Sequence, residues 1–151
     1  MMIENLPIGI LSTLAMTLFT ESVFAIIKRP YHVVRILGNM LLFNRATNLR
    51  SVPPRSMVLI ANFIHYAIGI IFTFGFHGLV TGKAESLLIG SLFYGVLIGV
   101  VAVIGWRLFF HIHPGPPPVE LHVYLLVIAL GHVVLSLTIY GMINICDGRA
   151  V

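Results

Sequence analysis

A chain of 151 residues, 58% of them hydrophobic and only 9% charged, is one small domain too apolar to face water, since an ordinary soluble domain carries about a quarter charged residues. The formal charge of +4 and a pI near 9.6 do not call for nucleic acid, because most of the basic residues sit in one connecting segment beside apolar runs. The single cysteine, Cys146, excludes an internal disulfide framework and a cysteine-based metal cluster within one chain.

A transmembrane helix needs about 20 mostly apolar residues. Four runs meet that requirement, over 6–27, 57–80, 87–110 and 119–145. The first lacks the basic leader of a signal peptide. Its C-terminal flank is Lys28-Arg29-Pro30 rather than a cleavage site of small residues, so it reads as a retained helix. Lys28, Arg29, Arg35, Arg45, Arg50 and Arg55 lie between the first and second spans, and Arg107 closes the third. Only Lys83 and Arg149 lie opposite. The positive-inside rule then makes the first connection cytoplasmic, leaves both termini outside, and makes 81–86 an external turn. Trp106 and Tyr124 fall at the inner interface, where amphipathic aromatics concentrate.

The first connection contains a further helix, over 31–43, with Pro30 in position to open it. Val33, Val34, Ile36, Leu37, Met40 and Leu41 form its apolar face, and His32, Arg35 and Asn39 lie opposite. The pattern fits a helix on the inner leaflet or one covering the base of the bundle. From 44 to 55 the chain is basic and broken by Pro53-Pro54, and reads as a loop attracted to anionic headgroups. The fold expected is all-α: a single transmembrane domain over 1–151, a polytopic four-helix bundle with an added interfacial amphipathic helix.

Rows of small residues mark the packing faces. Span two carries Ala61, Gly69 and Thr73, with His65 in the same row. Span three carries Ser91, Gly95 and Gly99, and span four carries Ala129, Ser136 and Tyr140. In span one Thr13, Thr17 and Glu21 make an i, i+4, i+8 polar stripe. A carboxylate in hydrocarbon is costly and seeks a partner. Glu21 lies seven residues before Lys28 and His65 lies eight after Met57, so at about 1.5 Å per residue the two reach similar depth. Asn62 is one turn from His65, and His132 is central in span four. Glu21, Asn62, His65 and His132 therefore form the expected intramembrane polar cluster. It serves either as an interhelical clasp or as a site for protons, ions or a cofactor.

Haem b is one such cofactor, with His65 and His132 as its candidate ligands. Within single helices the histidines do not stack: His65 and His77 are separated by about 120° around the axis, His122 and His132 by about 80°. A quinone near His111, Trp106 or Tyr124 is a second candidate. The stretch FHIHPGPPPVELHVY, residues 110–124, places His111, His113 and His122 around a proline run. The prolines favour an extended path after His113, and Glu120 falls at the start of the last helix. This stretch reads as a stiff turn rather than a metal site.

The segments GILSTLAMTLF, RPYHVVRILGNML, IHYAIGIIFTFGFHG, GSLFYGVLIGV and LGHVVLSLTIYGM, which together span most of the chain, resemble small uncharacterised bacterial four-helix integral membrane proteins. The resemblance implies fold and not activity. The trimeric glutathione- and eicosanoid-metabolising membrane enzymes have similar length and helix count, but their Arg, Asn and Glu signature has no counterpart in span two. The function expected is therefore a non-catalytic accessory or structural subunit of the cell inner membrane. Its partners are the lipid bilayer with bound lipids, and other membrane subunits or a second copy, with no role for nucleic acid. The alternative is a haem b- or ion/proton-handling protein built on Glu21, His65 and His132, and a small transporter is a third.

Overall fold

A computed structural model describes residues 5–42, 53–80 and 87–146. Most of the 44–55 loop and all of the 81–86 turn lie outside the described residues. Five helices follow one another: α1 (Asn5–Ile26), α2 (Val33–Leu41), α3 (Arg55–Leu79), α4 (Leu87–Ile112) and α5 (Leu121–Cys146). All except α2 are long and apolar enough to cross a membrane. Each helix begins and ends within two residues of the bounds expected from hydropathy. The chain is an all-α membrane protein whose four spanning helices form a bundle. Large apolar side chains such as Phe63, Ile71, Ile89 and Phe93 point outward, as lipid-facing positions require.

The helices are arranged as an arc. α3 packs on α1, α1 on α5, and α5 on α4, while α3 and α4 touch little. The α1–α3 seam is a ladder of small residues and threonines. A Cβ on Gly9 would meet the backbone of Ile70 at 2.9 Å and the Thr73 hydroxyl at 3.2 Å, and a Cβ on Gly69 would overlap the Thr13 hydroxyl. His65 Nε2 lies 3.0 Å from Thr17 Oγ1. Thus Gly9 faces Thr73, Thr13 faces Gly69 and Thr17 faces His65. Each step of four along α1 matches a step of four back along α3. Both threonines donate to a glycine carbonyl one turn back in their own helix, Thr13 to Gly9 (2.7 Å) and Thr73 to Gly69 (3.0 Å). The hydroxyls are satisfied locally, which suits a seam without water.

α4 and α5 pack in the same manner. A Cβ on Gly95 would meet Val133 Cα at 2.9 Å, and one on Gly99 the Ala129 carbonyl at 3.1 Å. Ser136 Oγ donates to the Ser91 carbonyl at 2.6 Å. Gly69, Ser91, Gly95 and Gly99, read from sequence as packing residues, each sit at such a crossing. On the α1–α5 face, Gly131 meets Thr20 and Met16.

α1 ends in a Schellman turn. Lys28 adopts the left-handed conformation (φ 55°). Its N–H bonds to Ala25 (3.1 Å) and the Arg29 N–H to Phe24 (2.8 Å), so two of the last carbonyls are satisfied. Pro30 follows this stop instead of opening α2, which begins three residues later because the chain at His32 is extended. α2 then folds back onto the bundle's base. Val33, Ile36 and Met40 join Phe24, Tyr31, Phe110, Tyr124 and Ile128 in one core cluster. Asn39, read from sequence as lying on the polar face, is buried. Gly38 beside it lets α2 approach Pro53 and the Met57 backbone. The sequence pattern fitted either an inner-leaflet helix or a cover for the base, and these contacts are those of the cover.

If the Gly–Thr ladder fixes the α1–α3 register, Gly69→Ala lowers stability by about 1–3 kcal/mol through overpacking, and adding Thr13→Ala to it recovers part of that loss. Thermal unfolding in detergent, followed by circular dichroism, checks both. A Gly69→Ala variant that melts like the wild type is incompatible with this seam.

Candidate functional site

α3 and α4 meet only at the end where the chain passes from one to the other. There Tyr94 donates its hydroxyl to the Phe72 carbonyl (2.6 Å) and packs edge-on against Phe76. Toward the opposite, basic end the two helices part. The space between them is a cavity of about 290 Å³. Met16 and Thr20 of α1 and Ile128, His132 and Leu135 of α5 form its back wall. His65, Gly69 and Phe72 of α3 and Ala102, Gly105 and Trp106 of α4 form its flanks. Val33 and Leu37 of α2 close its base. Ligand cavities range from roughly 300 to 1,000 Å³, so this is a small one. An apolar cavity of roughly 150 Å³ already holds a benzene ring.

Two histidines interrupt this apolar wall. His65 lies ten residues into α3 and His132 eleven into α5, which is about 15 Å along each axis and close to the middle of a bilayer core about 30 Å thick. Both imidazoles line the same cavity. His132 is only 7% exposed. Its Nδ1 lies 2.8 Å from the Ile128 carbonyl, and its ring stands edge-on to Phe72 at 5.8 Å. His65 is held by Thr17.

The four residues expected to cluster are therefore divided. His65 and His132 share the cavity wall, as the sequence reading required. Glu21 does not join them. It contacts His32 Nδ1 at 2.5 Å, at the base of the bundle. Asn62 turns back to donate to the Val58 carbonyl (2.9 Å). The physical reason is the ladder. Thr17 faces His65, so the next step of four along α1 brings Glu21 level with Ala61 rather than with His65. Matching depths by counting from the flanking charges misplaces the pair by one helical turn.

The base has its own polar order. Arg29 pairs with Glu120 at 2.5 Å, and both are substantially exposed, so the pair adds little stability. Tyr31 Oη accepts the Glu120 N–H at 2.8 Å, satisfying a backbone donor at the start of α5. His113 Nδ1 accepts the Gly115 N–H at 3.1 Å, which engages this histidine in the turn itself. His111 and His122 are exposed. Among the described residues no group of three or more His, Cys, Asp or Glu side chains is placed to hold a metal ion.

Trp106 and Tyr124, expected at the interface, pack together instead. Their ring centroids are 5.3 Å apart and the rings are near perpendicular. Tyr124 also stacks on Phe24 (5.9 Å, 6°) and is fully buried. Its hydroxyl finds no partner among the described residues.

No family model, curated protein or solved structure matches this chain. The cavity therefore has to be read from its own residues.

A buried hydroxyl without a partner costs about 1–3 kcal/mol of desolvation. Tyr124→Phe keeps the stacked ring and removes that oxygen, so thermal unfolding of this variant shifts upward, by on the order of 1 kcal/mol. A comparable loss of stability instead would mean that the hydroxyl has a bonding partner.

Proposed function

We propose that the chain is a small non-catalytic accessory protein of the bacterial inner membrane. Its contribution is an intramembrane cavity, open sideways between α3 and α4, that holds one lipophilic molecule taken from the bilayer. The observation that carries this reading is the cavity: about 290 Å³, walled mostly by aliphatic and aromatic side chains, at mid-membrane depth, with His65, His132, Thr20 and the indole of Trp106 as its polar features. Among the described residues the carboxylates are Glu21 and Glu120, and both are engaged at the base with His32 and Arg29. Neither is placed to act as an acid or base on a molecule in the cavity.

The location follows from charge. Lys28, Arg29, Arg35, Arg55 and Arg107 all belong to the end of the bundle where α2 lies, which supports a cytoplasmic position for that end with both termini outside. The outward apolar faces leave room for other membrane subunits or a second copy around the bundle.

Haem b is the second reading, and one observation favours it. His132 donates Nδ1–H to a backbone carbonyl, the kind of bond that orients an imidazole for ligation through Nε2. The opposite histidine weakens it, because His65 directs its own Nε2 to Thr17.

Native mass spectrometry of the protein, released from its own membrane in mild detergent, tests the first reading. The expected result is about one retained lipophile per chain, lost in Gly105→Leu. Gly105 lines the cavity, and an added Cβ there meets no heavy atom within 4 Å, so the fold survives. A molecule retained equally by the Gly105→Leu variant would be annular lipid, and the cavity reading would fail. A reduced-minus-oxidised spectrum with a b-type band, abolished by His65→Ala, would install haem in its place.

A further inference from the structure

Donor and acceptor accounting on the cavity wall goes further and names the chemical class of the ligand, an inference that rests on the lipophile-binding reading above. His132 Nδ1 faces a carbonyl. A carbonyl only accepts, so Nδ1 carries a proton. His65 is settled by its partner. Thr17 Oγ1 gives its one proton to the Thr13 carbonyl at 2.8 Å. Toward His65 it can then only accept, and His65 Nε2 carries the proton. Among the described residues no carboxylate lines the cavity, so none of them compensates a charged ring there. An uncharged imidazole has one ring proton. Both histidines therefore keep a bare lone pair, on Nε2 of His132 and on Nδ1 of His65, since the hydrogen bond of each ring uses its other nitrogen. Thr20, the one hydroxyl on the wall, gives its proton to the Thr17 carbonyl (2.9 Å). At mid-membrane depth the wall thus offers two acceptors. The indole N–H of Trp106 lies nearer the basic end of α4.

We propose that this cavity selects a membrane-soluble alcohol. The ligand hydroxyl donates to the lone pair of His132, with His65 as the neighbouring acceptor, and its hydrocarbon part lies against Phe72, Leu135 and Trp106 and leaves through the flank between α3 and α4. A ketone or an ether of the same shape has no proton to give. It would bring a third acceptor against the two histidine lone pairs and leave those lone pairs unsatisfied, which is costly in a dry site.

Trp106 is the sole tryptophan and lines the cavity, so its fluorescence reports occupancy directly. The probes are 4-butylcyclohexanol, its methyl ether and 4-butylcyclohexanone, which share one hydrocarbon shape. Each is titrated into the full chain in lipid nanodiscs. The alcohol binds about tenfold more tightly than the ether, as one net hydrogen bond of ordinary strength predicts. In His132→Leu the ratio of alcohol to ether affinity falls toward one, whatever the change in overall affinity. His132→Gln, whose side-chain carbonyl can accept, retains part of the alcohol preference and serves where the leucine variant does not fold. Equal affinity of the wild type for alcohol and ether, or tighter binding of the ketone, overturns the proposal and leaves the lipophile-binding reading intact. A Trp106 signal that none of the three probes moves, together with no lipophile retained from the native membrane, overturns both.

Discussion

The α1–α3 seam sets the positions of everything else. In hydrocarbon there is no hydrophobic force between helices, so close backbone approach must supply the attraction. Gly9 and Gly69 permit that approach, and Thr13 and Thr73 fill the opposing spaces. Each of these threonine hydroxyls bonds within its own helix, so neither needs water. A shift of one turn would set Thr13 against Thr73 in one direction and against His65 in the other, so only the observed register sets each threonine against a glycine. That register places His65 against Thr17, which in turn fixes both the position and the tautomer of the imidazole.

The cavity follows from an imbalance of seams. α1–α3, α1–α5 and α4–α5 are all built from small residues in close approach, and α3–α4 is not. Tyr94 holds α3 and α4 together at one end through the Phe72 carbonyl. Below that point no matching glycines draw them in, so the arc stays open on this side. α2 and the aromatic group around Tyr124 close the base. The opening is then bounded above by a tyrosine bridge and below by a helix, and it faces hydrocarbon rather than water.

Much of the fold was legible in the sequence because its signals are local. Hydropathy set the helix bounds, and the rows at Gly69, Ser91, Gly95 and Gly99 marked the faces that do cross. The i, i+4, i+8 stripe of Thr13, Thr17 and Glu21 was read correctly as one face of α1. What failed was pairing. Glu21 and His65 were matched by counting from the ends of their helices, and that count is blind to a one-turn offset between neighbours. Glu21 instead meets His32, a partner carried by the extended chain after α1, where the left-handed Lys28 reverses its direction. Asn39 was placed on the wet face of α2 because its polarity was read without Gly38 beside it, which brings α2 down onto α3. The open α3–α4 flank left no local mark, since it reflects a seam that the sequence lacks.

The misplacement of Glu21 bears on function. With a carboxylate beside His65, the site would hold a charge pair and a proton to move, which are the parts of an ion or proton pathway. With Glu21 drawn down to the base, the histidines stand in an apolar wall with only neutral partners, Thr17 and a backbone carbonyl. Neutral hydrogen bonds in a low-dielectric site are strong enough to discriminate between ligands, and each of these partners fixes which ring nitrogen keeps its lone pair. The same ladder that takes the acid away from His65 also orients that imidazole, while the Ile128 carbonyl orients His132.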